Sequence, residues 1–294
     1  MLAGLASAAL AYICWGLFPL YFHRIAQVDA FEIILHRSVW SLVFVWTVLL
    51  WRRQWAWLPR LLGQPRQVAR FVLSAVLLTA NWTIYVWAVN HGHVLEASLG
   101  YFINPLVNVL LGTWMLHERP RRWQWVAVAV AAAGVLWLTA SVGRLPWIAL
   151  ALALSFGFYG LLRKTATLGP LEGLALETLV LAPVAVPALL WASLAGGGAL
   201  AQADAPRVGW LLFSGPLTAV PLLLFAFAAR RVTLATMGVM QYLSPTLQFL
   251  LGTWYFHEAL DPHRLIGFVL IWAALAIYSA EGFVMLRRPA PAAP

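Results

Sequence analysis

Charged residues are scarce in this chain. They make up 10% of its 294 residues, against 63% hydrophobic ones, and mean hydropathy is +0.82. A soluble domain carries about 25% charged and about 45–50% apolar residues. A chain so poor in charge cannot cover itself with polar surface in water, which excludes an ordinary soluble domain and points to a polytopic membrane protein. Acidic groups are the scarcer sign, ten Asp and Glu against nineteen Lys and Arg, for a net charge of +9. That excess does not read as a nucleic-acid surface, because the arginines are scattered between apolar runs and build no basic domain. Cysteine is nearly absent. The single one, Cys14, lies in an apolar run, so no intrachain disulfide and no thiolate metal site is available, and it reads as a small buried hydrophobe.

Long apolar runs are what the sequence has in abundance. Crossing a bilayer core of about 30 Å takes about 20 mostly apolar residues. Ten stretches meet this: 4–22, 31–51, 70–90, 94–115, 123–141, 146–163, 174–194, 207–229, 234–256 and 263–286. The first lacks a basic leading segment and nine more follow, so it reads as a structural span, not a signal peptide.

Lys and Arg accumulate on the cytoplasmic side of membrane proteins. One set of alternate loops holds Arg52, Arg53, Arg60, Arg66, Arg70, Arg119, Arg121, Arg122, Arg163, Lys164, Arg230, Arg231, Arg287 and Arg288. The other holds Arg24, Arg144, Arg207 and Arg264, and Arg37 falls inside a span. The bias predicts that both termini are cytoplasmic.

One short motif occurs twice. LLGTW runs from Leu110 to Trp114 and again from Leu250 to Trp254, each followed by a His-Glu pair, His117-Glu118 and His257-Glu258, and preceded by a proline, Pro105 and Pro245. The register of 140 residues extends further: Glu32 matches Glu172, Ser38 matches Thr178, Ser74 matches Ser214 and Ala88 matches Ala228. Five spans per half is an odd number, so the second half enters the membrane from the opposite side. The expected architecture is therefore an all-α integral membrane protein of ten transmembrane helices in two inverted five-helix repeats. The first repeat covers 1–141 and the second 146–286, followed by a short basic and Pro-Ala tail, 287–294. Inverted repeats are frequent in secondary transporters, because two similar halves of opposite orientation give outward-open and inward-open states of comparable energy.

The fourth and ninth spans carry the candidate site. Pro105 and Pro245 each remove a backbone hydrogen bond and push on the carbonyl four residues earlier, Tyr101 and Gln241. In lipid such a carbonyl must face protein, water or solute. Tyr101, Asn104 and Asn108 share one helix face, with Gln241, Ser244 and Gln248 at the matching positions and Tyr242 adjacent. These stripes line a central cavity, or they serve as hydrogen-bonding glue between helices. Asn81, with Trp82, matches Pro221 and is compatible with a cavity wall.

Ionisable groups within spans are costly and usually functional. Arg37 matches Glu177 across the repeat; the inversion puts them in opposite leaflets, where each lines one gate or lies shallowly at its interface. His36 is either a proton-responsive group or an ordinary hydrogen-bonded helix residue. Neither His-Glu pair completes H-E-x-x-H, since the fifth residue is Arg121 in one and Asp261 in the other. The pairs read as helix ends, Gly100, Gly112 and Gly252 as packing residues, and Trp114 and Trp254 as interfacial anchors. No metal, cofactor or ATP-hydrolysing loop is expected.

The order LEASLGYFINPLVN at 95–108, Asn81-Trp82, His36-Arg37 and the His-Glu pairs resemble RarD-type proteins, in the EamA branch of the drug/metabolite transporter superfamily. The resemblance covers essentially the whole chain. It implies ten helices, two EamA-type repeats, a bacterial inner-membrane location and transport of small metabolites or drugs, with export as the expected direction. The RarD type also implies a link to chloramphenicol sensitivity. Expected partners are a small-molecule solute and the lipid bilayer, with no nucleic acid and a homodimer left open. The competing reading is a membrane-embedded sensor or enzyme that moves no solute. No nucleophile–base constellation in the sequence favours it.

Overall fold

A computed structural model describes residues 2–53, 55–140, 146–194, 198–202, 204–257 and 262–287. Arg144, Glu258, Asp261 and the tail 288–294 lie outside the described residues. Within them the secondary structure is helical throughout: α1 (Leu2–Gly16), α2 (Phe18–Arg24), α3 (Ala30–Arg52), α4 (Trp57–Leu62), α5 (Pro65–Asn90), α6 (Val94–Met115), α7 (Arg122–Ala140), α8 (Trp147–Lys164), α9 (Pro170–Leu194), α10 (Ala199–Gln202), α11 (Ala205–Ala229), α12 (Leu234–Gln241), α13 (Leu243–Trp254) and α14 (Pro262–Arg287). Helix is the expected state for apolar segments in lipid, where backbone groups must be satisfied within the segment.

Eight segments are long and apolar enough to cross a membrane, with α1 and α2 counted as one. Two segments expected to span are not among the eight. One is α6, a continuous helix with Pro105 inside it. The other breaks at Tyr242 into the short helices α12 and α13, and Pro245 sits in the first turn of the second. The same proline position therefore leaves one copy unbroken and interrupts the other.

Some helix starts carry side-chain caps. Asp29 accepts from the amides of Phe31 and Glu32 at the head of α3, and Asp204 from that of Arg207 at the head of α11. Large apolar side chains face outward: Trp51, Trp191 and Leu194 are 83%, 74% and 85% exposed. Exposed apolar surface on this scale fits lipid, not water.

Helices of the two halves interleave. α3 packs on α9 and α11, α1 on α11 and α13, α6 on α8 and α12, α5 on α8 and α9, and α7 on α14. Each pairing has its counterpart 140 residues away: α3–α11 answers to α5–α9, and α6–α8 to α1–α13. The main core draws Tyr12, Val45 and Leu78 from the first half and Tyr159, Leu174 and Phe225 from the second. Along α6 and α12 the contact reaches main chain. A Cβ on Gly238 would lie 2.5 Å from the Pro105 carbonyl oxygen, so only glycine permits this approach.

Candidate functional site

A cavity of about 480 Å³ lies between α1, α2, α3, α5, α6, α8 and α11 and the α12–α13 break. Small-molecule sites span about 300–1,000 Å³. Its upper reach is the α2–α3 connection, through Ala26, Val28 and Ala30. Its floor is a ring cluster in which Trp15 lies 5.7 Å from both Phe156 and Phe225, which in turn contacts Tyr12 and Tyr159.

Among the sequence candidates, Tyr101, Asn104, Gln241, Gln248, Asn81, Arg37 and Pro245 line this cavity. Asn81 donates to the Leu152 carbonyl and to Ser155 on α8, which fixes its amide against the wall. Asn104 donates to the Ala153 carbonyl at 2.6 Å. Gln248 donates to the Trp15 carbonyl, and Ser244 to that of Tyr12. Tyr101 is the most open of the group, with its ring 5.9 Å from Tyr85.

Asn108 and Tyr242 lie outside the cavity lining. Asn108 donates to Asn104 and to Gln241, which joins α6 to α12 across the halves. The Tyr242 hydroxyl donates to the Phe102 carbonyl from a fully buried position. For Tyr242 the reason is direction, since its ring packs toward Phe102 while Gln241 and Ser244 beside it line the cavity; for Asn108 it is depth along the helix. Asn108 is one turn beyond Asn104, where α12 has already closed on α6. Of the two readings of the polar stripe, lining describes the placement of Tyr101 and Asn104, and interhelical bonding that of Asn108 and Tyr242.

Arg37 projects from α3 into the cavity. Its Nε donates to Thr218 on α11 at 2.9 Å, and its guanidinium lies 4.7 Å from the centre of the Trp82 ring. His36, one residue earlier, faces away. It accepts from the Trp40 indole, and its other ring nitrogen lies 3.7 Å from Glu32, all on one helix. Glu177 does not reach the cavity. It accepts from Ser74 on α5 and pairs with Arg163 on α8 at 3.4 Å.

Arg163 stands seven residues beyond Phe156 on α8, about 10 Å further along the axis. Beyond the ring cluster, at the Arg163 end of α8, the bundle holds three ion pairs. Besides Arg163–Glu177, Lys164 pairs with Glu118 at 3.4 Å and Arg121 with Glu281 at 2.8 Å. Arg163–Glu177 joins α8 to α9, and the other two tie the α6–α7 connection to α8 and to α14. At the opposite end the pairs are local to one helix or its cap: His36–Glu32, His93–Glu96 and Arg207–Asp204.

The repeated His-Glu pair has a backbone explanation. His117 and His257 both take left-handed conformations, with φ of 55° and 54°, and end α6 and α13. The turn lets the Glu118 amide donate to the Gly112 carbonyl. The Glu118 carboxylate then accepts from the amides of Leu234 and Ala235, at 2.8 and 3.1 Å, capping α12 in the other half. Sequence reasoning placed the pair at a helix end but missed this cross-half role. The available signal was an acid repeated in register just after a helix. Trp114 and Trp254 are 73% and 76% exposed at their helix ends. Among the described residues, no three His, Cys, Asp or Glu side chains converge as metal ligands.

Membrane-length helices packed around a largely apolar chamber with a few polar side chains in its wall define a multi-pass membrane protein with a cavity sized for a small solute. The model of the EamA-like transporter family matches the chain twice, over residues 2–140 and 145–280. An uncharacterized transporter of Pseudomonas aeruginosa is 47% identical over 278 residues, covering 95% of this chain and 93% of its own. Protein RarD of Streptomyces exfoliatus is 46% identical, covering 95% and 88%. A crystal structure of an 18% identical protein superposes with a TM-score of 0.73 over 95% of this chain and 98% of that one, which shows a shared fold. The chain belongs to the EamA-like transporter family.

Proposed function

We propose that the chain is a ten-span secondary transporter, built of inverted halves 1–141 and 146–286, that moves a small solute by alternating access. The observation that carries this reading is a solute-sized cavity whose walls come from both halves and whose floor is a ring cluster with ion pairs beyond it. The paired helix contacts 140 residues apart and the double family match support the inverted repeat. Fourteen basic residues on one set of loops support cytoplasmic termini. With that orientation the conformation is outward-facing and the ion-paired end is the cytoplasmic gate. Tyr101, Asn104, Gln241, Gln248 and Asn81 contact the solute, while Asn108 and Tyr242 tie the halves together. We read the direction as export and the membrane as a bacterial inner membrane, by likeness to the family.

Flux of labelled solutes in proteoliposomes of fixed orientation, with and without a pH gradient, tests the reading. Saturable flux that requires the protein supports it. A folded protein that binds solute without moving it favours the sensor or enzyme reading.

A further inference from the structure

The cavity wall holds one full charge. Of its lining residues Arg37 alone is ionic; the others are amides, hydroxyls, aromatic rings and aliphatic groups. Among the described residues Thr218 is the hydrogen-bond partner of Arg37, through Nε, and no carboxylate lies within ion-pair distance of it. The buried guanidinium of Arg163, at the end of α8, is by contrast paired with Glu177. Three rings, Phe18, Phe22 and Trp82, surround the Arg37 guanidinium at 4.7 to 5.9 Å and hold it in place. With Nε tied to Thr218, the two terminal nitrogens of this cavity-lining side chain hold no protein acceptor among the described residues.

We propose that Arg37 is the anion-binding residue of the cavity and that the solute is an organic monocarboxylate with an apolar or aromatic body. This rests on the transporter reading of the same cavity. An unpaired cation in a membrane span is costly, and a bound anion offsets the cost. A planar guanidinium fork matches a carboxylate in bidentate geometry. One positive charge balances one negative charge. A dianionic phosphate monoester would leave a charge uncompensated, and an amine would meet no acid in the lining. Trp15, Trp82 and Phe156 offer stacking faces for the body of the molecule.

The test is equilibrium binding to the full chain in lipid nanodiscs, using 3-phenylpropanoate, its neutral isostere 3-phenylpropan-1-ol and the cationic 3-phenylpropan-1-amine. The carboxylate is expected to bind at least about tenfold tighter than the alcohol, the ratio that separates a charge-assisted hydrogen bond from a neutral one. Arg37→Gln removes that ratio while keeping side-chain polarity, and Arg37→Lys restores part of it. A melting curve confirms that each variant is folded. The proposal is overturned if wild type prefers the alcohol or amine, if it binds no carboxylate, or if Arg37→Gln keeps the preference. Saturable flux of neutral or cationic solutes without carboxylate binding would sink this inference and leave the transporter reading standing. Carboxylate binding without flux would do the reverse.

Discussion

Arg163 and Glu177 form an ion pair at 3.4 Å with side chains only 2% and 1% exposed. Ser74 donates to the same carboxylate, and the Pro170 carbonyl accepts from the guanidinium. Removing one member of a buried pair leaves an uncompensated charge and costs about 3–5 kcal/mol, whereas replacing both with apolar groups is often neutral. Glu177→Ala and Arg163→Ala are each expected to lower the melting temperature in detergent strongly. The double variant Arg163→Met/Glu177→Met should recover most of the loss. Additive losses in this cycle would show that the two charges act separately.

Glu118 links the halves through the capped end of α12 and through Lys164. Loss of a helix cap costs about 0.5–2 kcal/mol. Glu118→Ala should destabilise by at least that amount and speed hydrogen exchange at the amides of Leu234 and Ala235. Glu118→Gln keeps an acceptor and loses the charge, so its effect should be intermediate. Unchanged exchange at those two amides would refute the capping role.

The helices were legible in the sequence because lipid leaves the backbone few alternatives, and the tally of apolar runs needs no tertiary information. The break at Tyr242 was not. Pro105 and Pro245 occupy equal places in the repeat, yet only the second interrupts its helix, where the Tyr242 hydroxyl is bonded to a carbonyl on α6. Tyr101 and Asn104 were legible as cavity candidates from spacing along one helix. The partners of Arg37 were not, because Trp82 and Thr218 come from α5 and α11, 45 and 181 residues away. Glu177 is matched to Arg37 by register and also falls near Arg163 and Lys164 in the sequence reading; its ionic partner in space is Arg163, on the neighbouring helix α8.

Cysteine scanning separates wall from glue. In a Cys14→Ala background, Tyr101→Cys and Gln248→Cys should react with a polar thiol reagent added from outside. Cysteine at Asn108 should stay protected, because its surroundings are closed by Asn104 and Gln241. Reaction at 108 with protection at 101 and 248 would invert the assignment.

Gly238 faces the Pro105 carbonyl at a distance that admits no side chain. Overpacking a tight contact costs about 1–3 kcal/mol. Gly238→Ala should lower the melting temperature, and Gly238→Val should lower it further, with parallel loss of flux in proteoliposomes. Wild-type melting in both variants would show that α6 and α12 are free to separate.

That contact is backbone against backbone, so it has no rotamers with which to adjust. Helices meeting this way can pivot about the point but cannot slide across it. In a cycle that opens one end and closes the other, displacement grows with distance from a pivot. In that cycle, spin labels at the ends of α6 and at the far end of α13 should therefore report large distance changes, and labels near Gly238 small ones. On the proposed alternating-access reading the cavity lies beside this pivot, since Asn104 and Gln241 of its wall flank the contact. Its walls would hold their cargo through the stroke while the two doors, at the ends of the lever, make nearly all of the travel.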